Sequence, residues 1–110
     1  MKHIEMIKEF SLDATGSRDK DKEVNQLYDG AFRKLVEVWL QNNAVLSRHH
    51  ADVPITVYCI SGRGIFSAGA NLEESQNLRA GTLITLAAGV DHEVIADPAL
   101  HLIVTKFKGN

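Results

Sequence analysis

The stretch Gly81-Thr82-Leu83-Ile84-Thr85-Leu86-Ala87-Ala88-Gly89-Val90-Asp91-His92 carries the pattern from which the fold is predicted. Its apolar run, Leu83–Leu86, lies between Gly81 and Gly89, and His92 follows soon after the second glycine. Short apolar runs bounded by turn residues are typical of β-strands, and glycine permits the tight turns that join them. The stretch therefore predicts a strand, a turn, and a second strand that begins at His92.

Similar short runs recur along the chain from Phe32 onward, and turn residues separate them. Many short strands with turns between them favour a β-sandwich or barrel over alternating strands and helices. The predicted fold class is all-β, and we expect no helix longer than about three turns. The predicted strands are Arg33–Leu40, Ala44–Arg48, Ile55–Ile60, Ile65–Ser67, Leu83–Leu86, His92–Ala96 and Leu100–Phe107, with turns at Asn42-Asn43, Ser61–Gly64, Gly69–Asn71, Ala80-Gly81 and Asp97-Pro98.

The N-terminal part of the chain differs in composition and in periodicity. Ser11–Gly30 is polar and has no sustained period, so it predicts a loop with one short helical turn near Lys22–Leu27. Asn71–Leu78 is only about two helical turns long and is interpreted as a hairpin connection. We expect one domain in all, with an N-terminal strand and polar loop over residues 1–30 and a barrel over residues 31–110.

Composition limits the classes of partner. The 110 residues carry a formal net charge of −2, so no basic surplus favours nucleic acid or an anionic membrane surface. No apolar run is long enough for a transmembrane helix, and the first residues lack the apolar core of a signal peptide. Cys59 is the only cysteine, which excludes an internal disulfide and any multi-cysteine metal site. The expected location is the cytoplasm.

Two stretches together resemble the two short motifs of the cupin family. The first is Arg48-His49-His50 followed by Pro54–Gly62, and it resembles the pattern G-x5-H-x-H-x3,4-E-x6-G. The second is Gly81–His92, which resembles G-x5-P-x-G-x2-H-x3-N. The resemblance covers roughly residues 42–96. It implies a double-stranded β-helix, the jelly-roll barrel of the cupin type, with a pocket in the barrel interior.

The second motif is the better match. Gly81, Gly89 and His92 occupy their positions in the pattern, while Ala87 replaces the proline and Ala96 replaces the asparagine. The glycines serve the turns between strands and are moderately specific for the fold.

The first motif departs from the family chemistry. Anchoring it on Gly62 puts Ile55 where the family has a glutamate ligand, so that carboxylate is absent. If three residues separate the second histidine position from Ile55, His49 takes the first histidine position. If four residues separate them, His50 takes the second histidine position. His49 is preferred because the other alignment would bury Arg48, and His50 stays open as the alternative.

Side-chain alternation along the strands predicts which residues line the pocket. Ile55 and Val57 share one face of their strand, and His92 shares a face with Val94. Trp39 is a further candidate for the pocket wall or for a dimer interface. The predicted ligand pocket therefore comprises Ile55, Val57, Val94 and Trp39, and the predicted metal ligands are His49, His92 and His50.

The resemblance implies a divalent metal such as iron, manganese, nickel or zinc, but two imidazoles would hold it weakly or not at all. A third ligand from Glu37 or His101 requires that these side chains point inward, which the sequence leaves open. Two functions follow. In one, a cupin binds a small molecule and uses a weakly held metal as an oxygenase or isomerase. In the other, the barrel is a ligand-binding or sensory module that holds no metal and catalyses no reaction.

Apolar residues on both faces of two strands predict assembly. Ile55–Ile60 and Leu100–Phe107 are apolar on each side, and a sheet with two apolar faces needs cover on both. A second copy of the chain would supply the cover, so a homodimer is expected. The alternative is that Ile4–Phe10 covers the face within one chain.

Overall fold

The computed structural model describes residues 3–12 and 19–109, and every regular element within them is a β-strand. The strands are β1 (Lys22–Asp29), β2 (Arg33–Leu40), β3 (Val45–His49), β4 (Ile55–Ala68), β5 (Glu74–Arg79), β6 (Leu83–Leu86) and β7 (His92–Phe107). The all-β prediction is confirmed. The described residues include no helix that is long and apolar enough to cross a membrane.

The strands pair antiparallel in the order β1-β2-β7-β4-β5, with β3 on β7 and β6 on β4. The long strands β4 and β7 run through both halves of the molecule. Their halves near Ile55 and Lys106 pair with β6 and β2, and their halves near Ala68 and His92 pair with β5 and β3. The two halves face each other across the interior, which gives a double-sheet barrel.

Two turns predicted from the sequence lie inside continuous strands. The Ser61–Gly64 signal is an irregularity within β4, where the register shifts between Cys59 and Ser61 and again between Gly62 and Gly64. Asp97-Pro98 lies inside β7. Turn residues end a strand only when pairing stops. Here both strands keep their partners on either side of the irregularity.

Two further predictions on local structure are wrong. Lys22–Leu27 forms no helical turn, because it belongs to β1, which pairs along its length with β2. The first strand of the sheet therefore begins at Lys22. Within the predicted connection Asn71–Leu78, Glu74 starts strand β5, which pairs with the second half of β4. In both places pairing with a neighbour overrides a polar composition.

Alternation sorts the side chains of the central strands onto an inner and an outer face. Ile55, Val57 and Cys59 are at most 3% exposed, whereas Tyr58 between them is 43% exposed. The inward orientation predicted for these residues is thus confirmed. The core comprises Val36, Val38, Leu40, Ile55, Val57, Cys59, Phe66, Leu78, Val94, Ala96, Leu100 and Leu102.

Candidate ligand-binding site

The barrel encloses a cavity of about 170 Å³ between its two halves. Its wall is mostly aliphatic and aromatic, and its polar side chains are three imidazoles and one ammonium group. The lining residues are Val24, Val36, Val38, Leu46, His49, His50, Ala51, Ile55, Val57, Phe66, His92, Val94, Leu102, Val104 and Lys106. Three of the four residues predicted for the pocket, Ile55, Val57 and Val94, are among them.

His49 and His92 meet at this cavity. They are paired across β3 and β7, and their ring centroids lie 4.2 Å apart at an interplanar angle of 62°. Phe66 also stacks on His92, with centroids 5.4 Å apart and planes only 11° from parallel. The strand pairing and the phenyl ring together hold the imidazole of His92 in one orientation.

Backbone carbonyls fix the tautomer of both rings. Nδ1 of His92 lies 3.1 Å from the carbonyl oxygen of Val90, and Nδ1 of His49 lies 2.7 Å from that of Ser47. A carbonyl oxygen only accepts, so each Nδ1 carries the proton. Nε2 is therefore the nitrogen of each ring that remains for a ligand.

The pKa of His92 lies below its ordinary value. Burial is the main cause, because it disfavours the charged imidazolium, and the nearby charges of His49 and Lys106 act in the same direction. The bond to Val90 and the carboxylate of Asp91 oppose the change without reversing it. At neutral pH His92 is thus an uncharged imidazole whose Nε2 is an acceptor.

His50 and Arg48 lie at the rim, beside Asp91. Arg48 donates two hydrogen bonds to Asp91, at 2.9 and 2.7 Å, and these are the main cause that lowers the pKa of that carboxyl. His50 is 3.4 Å from Asp91 and 3.4 Å from Asp52, with about half of its side chain exposed. Arg48 points outward, as expected, whereas His50 both contacts the rim acids and borders the cavity.

Trp39, Glu37 and His101 lie on the opposite side of the sheet, because they alternate with Val38 and Leu102, which line the cavity. Trp39 is therefore not a wall of this cavity; it stacks on His101 with ring centroids 3.5 Å apart. Glu37 binds His101 at 2.6 Å and Lys8 at 2.9 Å. Neither Glu37 nor His101 can supply the third ligand that the sequence left open.

The donor set does not fit a resident divalent metal. Within residues 3–12 and 19–109 no group of three or more His, Cys, Asp and Glu side chains is arranged to hold a metal ion. The family's glutamate position is the apolar Ile55, and Lys106, whose charge acts on His92, lines the same cavity. Two imidazoles beside a positive charge are a poor site for a cation.

Lys106 is the functional candidate that the sequence analysis missed. It lies on the inner face of β7, two residues beyond Val104 and four beyond Leu102, and it lines the cavity with them. The same alternation that placed the apolar residues would have identified it. Val24 is not found from the sequence for a different reason: the polar composition around it predicts a loop, whereas it lies in β1.

Comparisons with known proteins identify the architecture. No family model matches the chain, and no curated protein sequence matches it. A cupin superfamily protein from Desulfitobacterium hafniense is 7% identical, with a TM-score of 0.78 over 98% of this chain and 97% of that one. An RmlC-like cupin with a double-stranded β-helix fold from Methanocaldococcus jannaschii is 18% identical, with a TM-score of 0.70 over 94% and 93%.

A conserved protein of unknown function from Streptococcus pyogenes is similar over 99% of this chain and 94% of that one, at 19% identity and a TM-score of 0.78. All three likenesses extend over nearly the whole of both chains. At these identities they show the fold. The chain therefore has the cupin fold, the double-stranded β-helix that the sequence motifs predicted.

Proposed function

We propose that this chain is a ligand-binding cupin-fold module that holds a small, largely apolar molecule in its barrel without a resident metal. The observation that carries the proposal is the cavity of about 170 Å³, whose wall is mostly apolar. An apolar cavity of about 150 Å³ is large enough to bind benzene. A cavity of this kind with a few polar groups at one place is typical of small-molecule sites.

The donor set supports binding over metal chemistry. The position of the family's carboxylate is Ile55, which is 3% exposed and adds apolar wall instead of a ligand. The proposal therefore assigns recognition, and no reaction, to the cavity. The single cysteine, Cys59, is buried and unpaired, which is compatible with a reducing compartment, and we propose the cytoplasm as the location.

Titration of the protein with toluene, followed by chemical-shift changes, tests the proposal. We expect saturable binding with a dissociation constant near or below about 1 mM, since a molecule of this size can bury most of its surface in the cavity. The shifts should be concentrated at cavity residues such as Val57 and Val94. Toluene that perturbs only exposed residues, or none, would overturn the proposal.

Matched variants locate the binding. Val94→Phe fills the cavity and should abolish toluene binding, whereas Val45→Phe adds the same ring on the outer face of β3 and should not. Ala51→Phe narrows the cavity from its wall and serves as a second filling variant if Val94→Phe unfolds. Equal binding by the filled and control variants would place the toluene elsewhere.

A further inference from the structure

The ionisable side chains that line the cavity are all bases. Of its described lining residues none is an aspartate or glutamate, while one is a lysine and three are histidines. Lys106 has no ion-pair partner among the described residues, and its charge acts on the imidazole of His92. Lys106 is half-buried, and no carboxylate among the described lining residues is present to pair with its ammonium.

The surroundings of Lys106 add to this imbalance. Its partner across β2 and β7 is Lys34, so two lysines are directly opposite each other. Like charges at such positions destabilise a sheet. Asp91, which contacts the cavity residue His50, is held at the rim by Arg48, so its charge is already engaged. Nothing described within the cavity neutralises Lys106.

We propose that the ligand of the barrel is a small monocarboxylic acid, whose carboxylate binds the ammonium of Lys106 while its apolar part occupies the cavity. This inference rests on the proposed function, which supplies the apolar cavity, and it adds the chemical class of the ligand. A carboxylate would replace the missing counter-ion of Lys106 and accept a charge-assisted hydrogen bond. An apolar part of about six carbons suits the volume, since benzene fits a cavity of similar size.

Benzoate and benzamide are the probes that test the inference, because they share shape and ring and differ in charge. We expect benzoate to bind at least about tenfold more tightly than benzamide at pH 7, as a charge-assisted hydrogen bond is stronger than a neutral one. The ratio should fall with added salt, because the attraction is electrostatic. Binding is measured by the same chemical-shift titration as for toluene.

Lys106→Met keeps the apolar stem and removes the charge. In this variant benzoate affinity should fall to the level of benzamide affinity, so that the ratio of the two affinities is about one. Lys20→Met removes one positive charge from an exposed loop position and should change none of these values. Lys106→Gln is the second variant if the methionine variant does not fold.

The outcomes separate the two proposals. If toluene and benzamide bind in the cavity but benzoate binds no better than benzamide, the carboxylate inference is wrong and the proposed function stands. If no probe binds in the cavity, both fail. A benzoate preference that Lys20→Met reduces as much as Lys106→Met would show a general charge effect and would overturn the assignment to Lys106.

Discussion

At the residue scale, the outer face of the barrel contains a buried polar cluster that is separate from the ligand cavity. Glu37 is 0% exposed and His101 is 1% exposed, and they are joined by a 2.6 Å hydrogen bond. Lys8 from the N-terminal segment binds the same carboxylate, and Phe10 packs edge-on against His101. These contacts tie the N-terminal segment to β2 and β7, so Glu37 has a structural role.

The cluster sets the charge state of Glu37. Burial by itself would raise the pKa of this carboxyl, but hydrogen bonds from Lys8, His101 and Asn25 outweigh burial, and the pKa lies below its ordinary value. A carboxyl with a lowered folded-state pKa stabilises the fold above its unfolded-state pKa of about 4.3. That contribution is lost as the pH falls through the lower, folded-state pKa.

We therefore expect Glu37→Gln to lower the free energy of unfolding by about 3 kcal/mol at pH 7, since it leaves the buried His101 and the half-exposed Lys8 without their anionic partner. Urea denaturation measures the loss. The free energy of unfolding of the variant should also decrease less at acidic pH, because glutamine has no carboxylate to protonate. Glu74→Gln, at an exposed position on β5, is the control and should change stability by less than about 0.5 kcal/mol.

At the element scale, the barrel depends on strands β4 and β7 passing from one half to the other. In β4 the passage occurs at Gly62, whose φ is +90° and whose position leaves no room for a side chain. A Cβ built there would lie 2.2 Å from the carbonyl oxygen of Ala99 and 2.9 Å from Cα of Leu100. The backbones of β4 and β7 approach closely here, and only glycine permits that approach together with a positive φ.

Gly62→Ala is accordingly expected to destabilise the protein by more than Gly81→Ala. Gly81 has nearly the same φ, +94°, but open space around it, so its substitution reports the backbone strain alone, about 1–2 kcal/mol. The clash with Ala99 adds to that strain at Gly62. Thermal unfolding of the two variants gives the comparison. Equal losses of stability would contradict the expected clash between a side chain at position 62 and Ala99.

At the scale of the whole molecule, the outer face has an apolar row that the described residues leave partly exposed. Leu83, Tyr58 and Ile103 are neighbours across β6, β4 and β7, with Leu83 66% and Tyr58 43% exposed. The N-terminal segment covers the Glu37 cluster, yet its own Ile4 and Met6 are 81% and 68% exposed. Apolar groups exposed together in this way are typical of an interface.

We propose a homodimer through this outer face, with a mass in light scattering of twice the 12.1 kDa chain. Tyr58→Lys should shift the protein toward monomer, because it puts a charge into the centre of the apolar row. Phe32→Lys, at an apolar residue that is 67% exposed outside the row, should leave the dimer intact. A monomer at micromolar concentration for the unaltered chain would refute the proposal.

The sequence by itself determined the fold class and most of the inner face. Short apolar runs between turn residues predicted the strands, and strict alternation placed Ile55, Val57 and Val94 inward, because successive side chains of a strand point to opposite faces. The resemblance of Gly81, Gly89 and His92 to the second cupin motif implied the barrel type, and both glycines have a positive φ in the structure.

Only the tertiary structure decided where strands end and which inward groups meet. Ser61–Gly64 and Asp97-Pro98 look like turns in isolation, but pairing between β4 and β7 carries both strands past them. The approach of His49 to His92 and the placement of Lys106 at the same cavity join residues far apart in the chain. Local pattern fixes the direction of a side chain, whereas the group it faces is set by long-range strand pairing.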